Sequence, residues 1–505
     1  MNRWVRLLAV ALVLGTLAGL LLWYQGLDAS RDETVARNAV CRSEFQAVLA
    51  VTPTTDTTYA AIVGDTRAAE WTELLVAAGV PVPMRLAPGA DVPPAIRLVV
   101  LTQGTAQSVT GSPGVDGGRM IVQVPSTDNT AQVGLNHTVQ RQGPDVVATL
   151  TSDWAQRVYE RRQGQPALRD KDTDGNGSIQ PADLSPTPQD VPGTPESDLA
   201  IDGLLDAMGA EAKCPLPRTR GVPAGTRTVV VLTSDQDYNP DDVVEPVATR
   251  LSELGANATF LLTDPLLGNP PDLHVEKIDG RRTAPTMGGH LRDTILSDDS
   301  GLGLHPFTDK PEEIRRIADA FAAATGFRAL TARNHHVLWS GYLEIPQAEA
   351  EAGVLLNLDW LPICDGKAPC AGFPGGSGRP MLFVDERSHA LPIFQQSTTL
   401  DDYSLRLADE AGRTAAAATL TARGRALIET SAQAEVPMVV NAHPNLVILG
   451  GYWIAPLLKV PGVPTLSAEQ WLAFVVHRRA ARLTIPRCGA VKAELAADVE
   501  LRHGF

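Results

Sequence analysis

The sequence predicts an α/β protein, and three observations carry that expectation. From about Thr226 to Arg487, short apolar runs alternate with stretches of helical length, the rhythm of parallel strands joined by helical crossovers. One run, Thr228-Val-Val-Val-Leu-Thr233, leads straight into Ser234-Asp235-Gln236-Asp237. An apolar strand that ends in acidic side chains is how α/β enzymes deliver carboxylates to a pocket. A smaller alternation of the same kind occupies residues 58–162, and a segment rich in Asp, Pro, Gly, Ser and Thr, 163–200, separates the two.

The 505 residues give room for two or three domains. Hydrophobic content of 44% with 20% charged residues is ordinary for globular protein. A formal net charge of -15 argues against nucleic acid as a partner, because phosphate binding needs a basic surface. It leaves polysaccharide open.

The first element is Leu7 to Tyr24, an apolar run without a charge. At ~1.5 Å per residue it spans roughly 27 Å, about one bilayer core. Arg3 and Arg6 precede it, and Asp28, Asp32 and Glu33 follow. This reads as a cytoplasmic stub and single transmembrane helix (residues 1–24) with the rest of the chain outside the cytoplasm, or as a cleaved signal peptide. Residues 25–57 read as a tether containing a helix from Glu33 to Val51. The 58–162 unit then offers strands at Tyr59–Val63, Leu98–Leu101 and Met120–Val124 and a helix at Arg67–Ala78, half of an open doubly wound sheet. It lacks G-x-G-x-x-G and a P-loop, so it is assigned no nucleotide. A small accessory domain that docks a protein partner is the expectation.

Within 163–200, Asp172-Thr-Asp174-Gly-Asn176-Gly177-Ser178-Ile179-Gln-Pro-Ala-Asp183 matches a calcium loop of the EF-hand or dockerin type. Asp172, Asp174 and Asn176 take positions 1, 3 and 5, and Gly177 takes the tight turn. Ser178 gives its backbone carbonyl, and Asp183 takes position 12. An acidic solvated linker is the other reading. Five cysteines fit an oxidising compartment. Cys364 and Cys370 suit a small loop. Cys214 and Cys488 stand near the two ends of the larger unit, though spacing alone does not establish a pairing.

In the larger unit the expected order is a helix over 242–254, a strand at Ala258-Thr-Phe-Leu-Leu262, and a helix from Pro311 to Thr325. A strand over 328–332, a helix from Tyr342 to Ala352 and a strand over 354–358 follow. Later come Met381–Val384, a helix over 411–431, Val436–Asn441 and a helix from Ser467 to Arg479. The opening resembles that of NodB-homology polysaccharide deacetylases, where a strand ends in T-F-D-D-G and a helix leads to a strand reading A-T-F-F. That resemblance implies a deformed, incomplete β/α barrel over residues 201–490, with 491–505 as a tail.

Four constellations follow the family's order. The resemblance implies that Asp235 is the general base, with Asp237 replacing the adjacent metal-binding Asp. In Gly301-Leu-Gly-Leu-His305-Pro-Phe-Thr-Asp309, His305 matches the first metal histidine, and Asp309 stands where the second is expected. Asp309 is either a ligand or the cap of the next helix. In Phe327-Arg-Ala-Leu-Thr-Ala-Arg333-Asn-His335-His336, Arg333 takes the role of the arginine that keeps the base ionised. His335 and His336 line the groove or bind metal, and Trp339, Tyr342 and Trp360 offer faces to sugar rings. In Val439-Val-Asn-Ala-His443, the histidine matches the general acid, with Asp359 orienting it. The implied cofactor is a divalent ion (Zn, Mn or Co) on Asp237, His305 and Asp309, with calcium in the 172–183 loop. The implied function is a membrane-anchored extracytoplasmic deacetylase acting on an acetylated glycan. The alternative is an inactive glycan-binding or scaffold protein.

Overall fold

The structure, a computed structural model, describes residues 32–102, 118–125, 135–185, 191–237, 239–263, 289–297, 299–362 and 371–502. The run Leu7–Tyr24 and the pair Cys364 and Cys370 lie outside these residues. Among the described residues, no helix is long and apolar enough to cross a membrane.

Residues 32–50 form α1. The sequence suggests a tether here, but the helix is packed. Phe45 and Cys41 are buried against the strands of the larger unit, and Arg42 donates to the carbonyls of Gly353 and Ala329. Burial, with Glu44 and Glu469 nearby, pushes the Cys41 thiol up to about 12.

The smaller unit comprises β1 (Ala60–Val63), α2 (Ala68–Ala77), β2 (Met84–Leu86), β3 (Leu98–Leu101), β4 (Met120–Gln123), β5 (His137–Gln142), β6 (Asp145–Leu150), α3 (Trp154–Gln163) and α4 (Glu196–Ala212). Its sheet runs β2-β1-β3-β4-β6-β5, and only β5 is antiparallel. The all-apolar β1 and β3 are buried on both faces, as parallel strands under helices must be. β5 is polar and half exposed because it is the outer edge, which is why its alternation gave no strand signal. Leu204, Leu205 and Met208 of α4 pack into the same core as Trp71 and Trp154. The unit therefore continues to Ala212, across the segment read as a linker.

The larger unit holds β7 (Val230–Asp235), α5 (Asp241–Glu253), β8 (Thr259–Thr263), α6 (Gly289–Ser297), β9 (Gly301–His305), α7 (Pro311–Thr325), β10 (Thr331–Ala332), α8 (Glu344–Ala352), β11 (Leu356–Asn357), β12 (Met381–Val384) and β13 (Ala390–Gln395). It continues with β14 (Leu400–Asp401), α9 (Tyr403–Leu407), α10 (Arg413–Ala434), β15 (Met438–Asn441), α11 (Pro444–Leu449), β16 (Thr465–Leu466), α12 (Ala468–Arg479), β17 (Arg482–Arg487) and β18 (Ala490–Glu494). Eight strands run parallel in the order β13-β11-β10-β9-β8-β7-β15-β14. The antiparallel β12 lies outside β13. β13 and β14 end the parallel array without pairing to each other, so the barrel is incomplete.

The curl is evident at its mouth: Arg333, just after β10, reaches Asp235 on β7, three strands away. Val231, Leu261, Leu358 and Val439 fill the interior, while Val230, Leu232 and Phe260 face the outer helices. Trp471 of α12 and Phe45 of α1 belong to the interior cluster. Full burial of each such side chain contributes about 1.5–3 kcal/mol.

α7 shows why these helices form where they do. Pro311 stands at its first position, Glu312 and Glu313 follow in the first turn, and left-handed Gly326 (φ 85°) ends it. Ile314, Ile317, Ala318 and Phe321 form the buried stripe. The two units share a core: Met381, Val384, Leu483 and Ile485 pack into the smaller unit's cluster. Ser388 Oγ accepts from the backbone N–H of Ala69 and donates to Glu70, so the larger unit docks at the start of α2. Cys214 and Cys488 form a disulfide with a Cα–Cα distance of 5.2 Å.

Candidate active site

The site stands at the C-terminal ends of the parallel strands. Asp235 is the last residue of β7 and is 3% exposed. Its Oδ1 lies 2.8 Å from Arg333 Nη1, and its Oδ2 lies 2.8 Å from Asn441 Nδ2. The buried Arg333 guanidinium also donates to Thr233 Oγ1, Thr398 Oγ1 and the Leu358 carbonyl. Burial opposes ionisation of Asp235, but Arg333, His305 and His443 outweigh it and hold the carboxyl below its usual range.

Strand alternation does not bring Asp237 to the site. β7 ends at Asp235, and the chain turns through Asp237 with a left-handed φ of 45°. Asp tolerates that conformation better than most residues. The turn aims the Asp237 carboxylate at two histidines, with Oδ1 3.1 Å from His305 Nε2 and 3.0 Å from His335 Nδ1. Those two nitrogens are 3.1 Å apart. His305 Nδ1 donates to the Arg333 carbonyl at 2.7 Å, which leaves Nε2 as the lone-pair face in the neutral ring.

Two imidazoles and a carboxylate therefore converge as a triangle of donor atoms. Four ligands at 2.0–2.1 Å around a tetrahedral ion stand roughly 3.3 Å apart, so the donor set fits a divalent cation. Burial raises the carboxyl of Asp237, yet His443, His305 and His335 bring it well below its usual range. Burial lowers the imidazole of His335.

His443 stands two residues beyond the end of β15, as the N-cap residue of α11. Its Nδ1 is 2.6 Å from Asp402 Oδ1, and its backbone N–H donates to Asp402 Oδ2. Nε2 then faces the acids, 3.6 Å from Asp237 Oδ2 and 3.9 Å from Asp235 Oδ2. Burial disfavours the imidazolium, but Asp237 and Asp402 raise its pKa well above the ordinary value. Burial in turn lifts Asp402 to about 6 against the pull of His443. Asp235, Asp237, His305, Arg333, His335, Asn441 and His443 line one cavity of about 480 Å³, together with His336, Asp359 and Trp360.

The chain is similar to polysaccharide deacetylases of known structure. One is described as a putative polysaccharide deacetylase from Mycobacterium smegmatis, 13% identical over 54% of this chain and 96% of that one, with a TM-score of 0.35. Another is the chitin deacetylase of Colletotrichum lindemuthianum, 14% identical over 50% of this chain and 91% of that one, with a TM-score of 0.29. A third is a CE4 family pseudoenzyme from Bacillus anthracis, 13% identical over 52% of this chain and 70% of that one, with a TM-score of 0.28. No protein-family model matches the chain, and no curated protein matches it. The chemistry of the site therefore rests on its own atoms.

Several residues expected in the site stand elsewhere. Asp309 is exposed and outside the donor triangle. It does not cap α7 either, since Lys310 is the N-cap residue and no side chain caps it. His335, from the turn after β10, holds the third corner. Trp339 and Tyr342 belong to the hydrophobic core, not the groove. Trp339 Nε1 donates to the Tyr342 carbonyl, and the Tyr342 hydroxyl accepts from Gln163. Asp359 does not orient His443. It accepts the backbone N–H of Asn334 and shares the Asn357 amide with Glu349, and burial raises the pKa of both acids.

Asp401, Asp402 and Asn441 went unread as site residues. The signal for the acids was weak, since in Thr398-Thr-Leu-Asp401-Asp402 a single apolar residue precedes the two carboxylates. The 172–183 loop forms part of the cavity wall through Asp174, Asn176 and Gln180. Carboxylate oxygens of Asp172, Asp174 and Asp183 lie within 4.8 Å of one another. Asp172 accepts from the backbone of Gly175, Asn176 and Gly177, and Asn176 Oδ1 accepts from Ser178. Asp183 is buried and accepts from Thr173, Asp174 and Gln180. The segment ends in a single 3₁₀ turn, Pro181–Leu184, where an EF-hand would continue as a helix. Pro181 lacks the N–H that a helix running through that point would need.

Proposed function

We propose that this protein is a metal-dependent deacetylase that removes N-acetyl groups from a cell-envelope or extracellular glycan and is held at the membrane by residues 7–24. The observation that carries the reading is the donor triangle of Asp237, His305 and His335, standing between a paired acid and a paired imidazole. A divalent ion on that triangle would polarise the acyl carbonyl and lower the pKa of a water beside it.

The side chains supply the proton traffic. Asp235, kept ionised by Arg333 and Asn441, accepts the proton of the attacking water as its oxygen bonds to the acyl carbon. The C–N bond then breaks. His443, whose Nδ1 is held by Asp402, gives its Nε2 proton to the departing nitrogen. Asp402 fixes the ring so that Nε2, not Nδ1, faces the reaction. The products are a free amine and acetate.

The same reading gives the 172–183 loop a calcium ion. Support comes from its convergent carboxylates and from a donor set made only of hard oxygens.

The test is acetate release from N-acetylated chitin or peptidoglycan oligomers by the metal-loaded protein. Asp235→Asn is expected to lower kcat by about 10²- to 10⁴-fold while metal content stays stoichiometric. Glycan binding without acetate release from any such oligomer would leave the protein a binding module.

A further inference from the structure

Asn441 is the last residue of β15, is 1% exposed and lines the cavity. Its Nδ2 donates both ways, to Asp235 Oδ2 at 2.8 Å and to Asp401 Oδ2 at 2.9 Å. Two carboxylate partners fix the amide's orientation, because a flipped side chain would set its carbonyl against two anionic oxygens. Oδ1 is therefore committed as an acceptor, and it is buried without a hydrogen-bond partner among the described residues. An unmet acceptor of this kind costs about 1–3 kcal/mol, and such groups call for an explanation. Trp360 Nε1 and Asn334 Oδ1, on the same cavity wall, are likewise buried without a hydrogen-bond partner among the described residues.

We infer that Asn441 Oδ1 accepts the N–H of the substrate's acyl amide, which makes the site selective for secondary amides over esters and N-alkylated amides. This rests on the deacetylase reading above and names its substrate class more narrowly. His443 Nε2 and Asn441 Nδ2 both stand beside the same oxygen, Asp235 Oδ2. The His443 imidazole and the Asn441 amide therefore flank one carboxylate oxygen in the same cavity. An amide nitrogen brings a donor there, whereas an ester oxygen brings none. The bond strengthens as that nitrogen gains positive charge, so it favours the transition state. A ligand without the donor leaves Oδ1 unpaired, and sites with a committed buried partner reject such ligands strongly.

The test uses the metal-free full chain, which holds ligands without turning them over. Calorimetric Kd values are compared for N,N′,N″-triacetylchitotriose, its N-methylated counterpart and the matching O-acetyl ester. The wild type is expected to bind the N–H ligand roughly 10- to 100-fold more tightly than either analogue. In Asn441→Leu, with its fold checked by circular dichroism, that ratio is expected to fall to within about threefold of unity.

Equal affinities in the wild type overturn the inference, as does failure to bind any of the three. A preference that survives in Asn441→Leu also overturns it, since steric exclusion of the methyl group or a resident buried water would then be the cause. Should the variant not fold, the wild-type comparison decides alone. Absence of acetate release by the metal-loaded protein counts against the deacetylase reading, while the binding ratio still decides the amide contact by itself.

Discussion

Each charged group at the mouth of the barrel has its partner on a different strand. Asp235 takes Arg333 from beyond β10, and His443 takes Asp402 from beyond β14. The metal-ligand set follows from the same principle, and it separates His335 from Asp309. His335→Ala is expected to lose stoichiometric Zn or Mn on elemental analysis, and Asp309→Ala to retain it. The reverse result would return the third corner to Asp309. Asp402 gives a pH prediction. Its carboxylate is among the groups that raise the pKa of His443, so Asp402→Asn should lower that pKa. The acid form of His443 would then be lost sooner as pH rises. The alkaline limb of the kcat profile is expected to move to lower pH, and an unmoved limb would remove Asp402 from the proton path.

At the scale of elements, β9 shows how tightly the strands are set. A Cβ added to Gly303 would stand 2.4 Å from Thr331 Oγ1, 2.5 Å from Leu261 Cδ2 and 2.9 Å from the Thr331 carbonyl. β9 carries His305 at its end, so a shift there moves a corner of the donor triangle. Gly303→Ala is expected to cost about 1–3 kcal/mol of stability, as overpacking does, and to weaken metal affinity with it. Thermal unfolding and a metal titration read the two effects. The strand–helix rhythm of this half was legible because its strands are buried on both faces and read as unbroken apolar runs. β13, by contrast, exposes Ala390 and Pro392 and was missed. The turn after β10 was legible in part: the sequence offered His335 and His336 as groove or metal residues, but not that His335 takes the third corner of the donor triangle.

Across the whole molecule, the two units are clamped by a buried ion network. Asp202 of α4 is bonded by Arg379 at 2.6 Å, Arg218 at 2.8 Å and Arg502 at 3.0 Å. Burial alone would raise its carboxyl, but these arginines hold it down to about 2. A depressed folded pKa means the stabilisation is full above the unfolded value near 3.9 and fades as pH falls through about 2. The depression is worth about 2 kcal/mol, so acid titration of stability should steepen between pH 4 and pH 2. In Asp202→Asn that segment should flatten, although the variant starts lower because the buried Arg218 and Arg379 and the part-buried Arg502 lose a partner. An unchanged slope would assign the acid sensitivity to other carboxylates.

The sequence alone determined the alternation of strands and helices and the delivery of Asp235, His305 and His443 to the ends of strands or just beyond them. Those features are local, since burial on both faces and the end of an apolar run are written in consecutive residues. Only the tertiary structure decided which side chains meet. The left-handed turn at Asp237, the choice of His335 over Asp309 and the pairing of Asp402 with His443 all depend on distances between strands far apart in sequence. So do the core placement of Trp339 and Tyr342 and the packing of α1 and α4. No periodicity records those distances, because the curl of the sheet sets them.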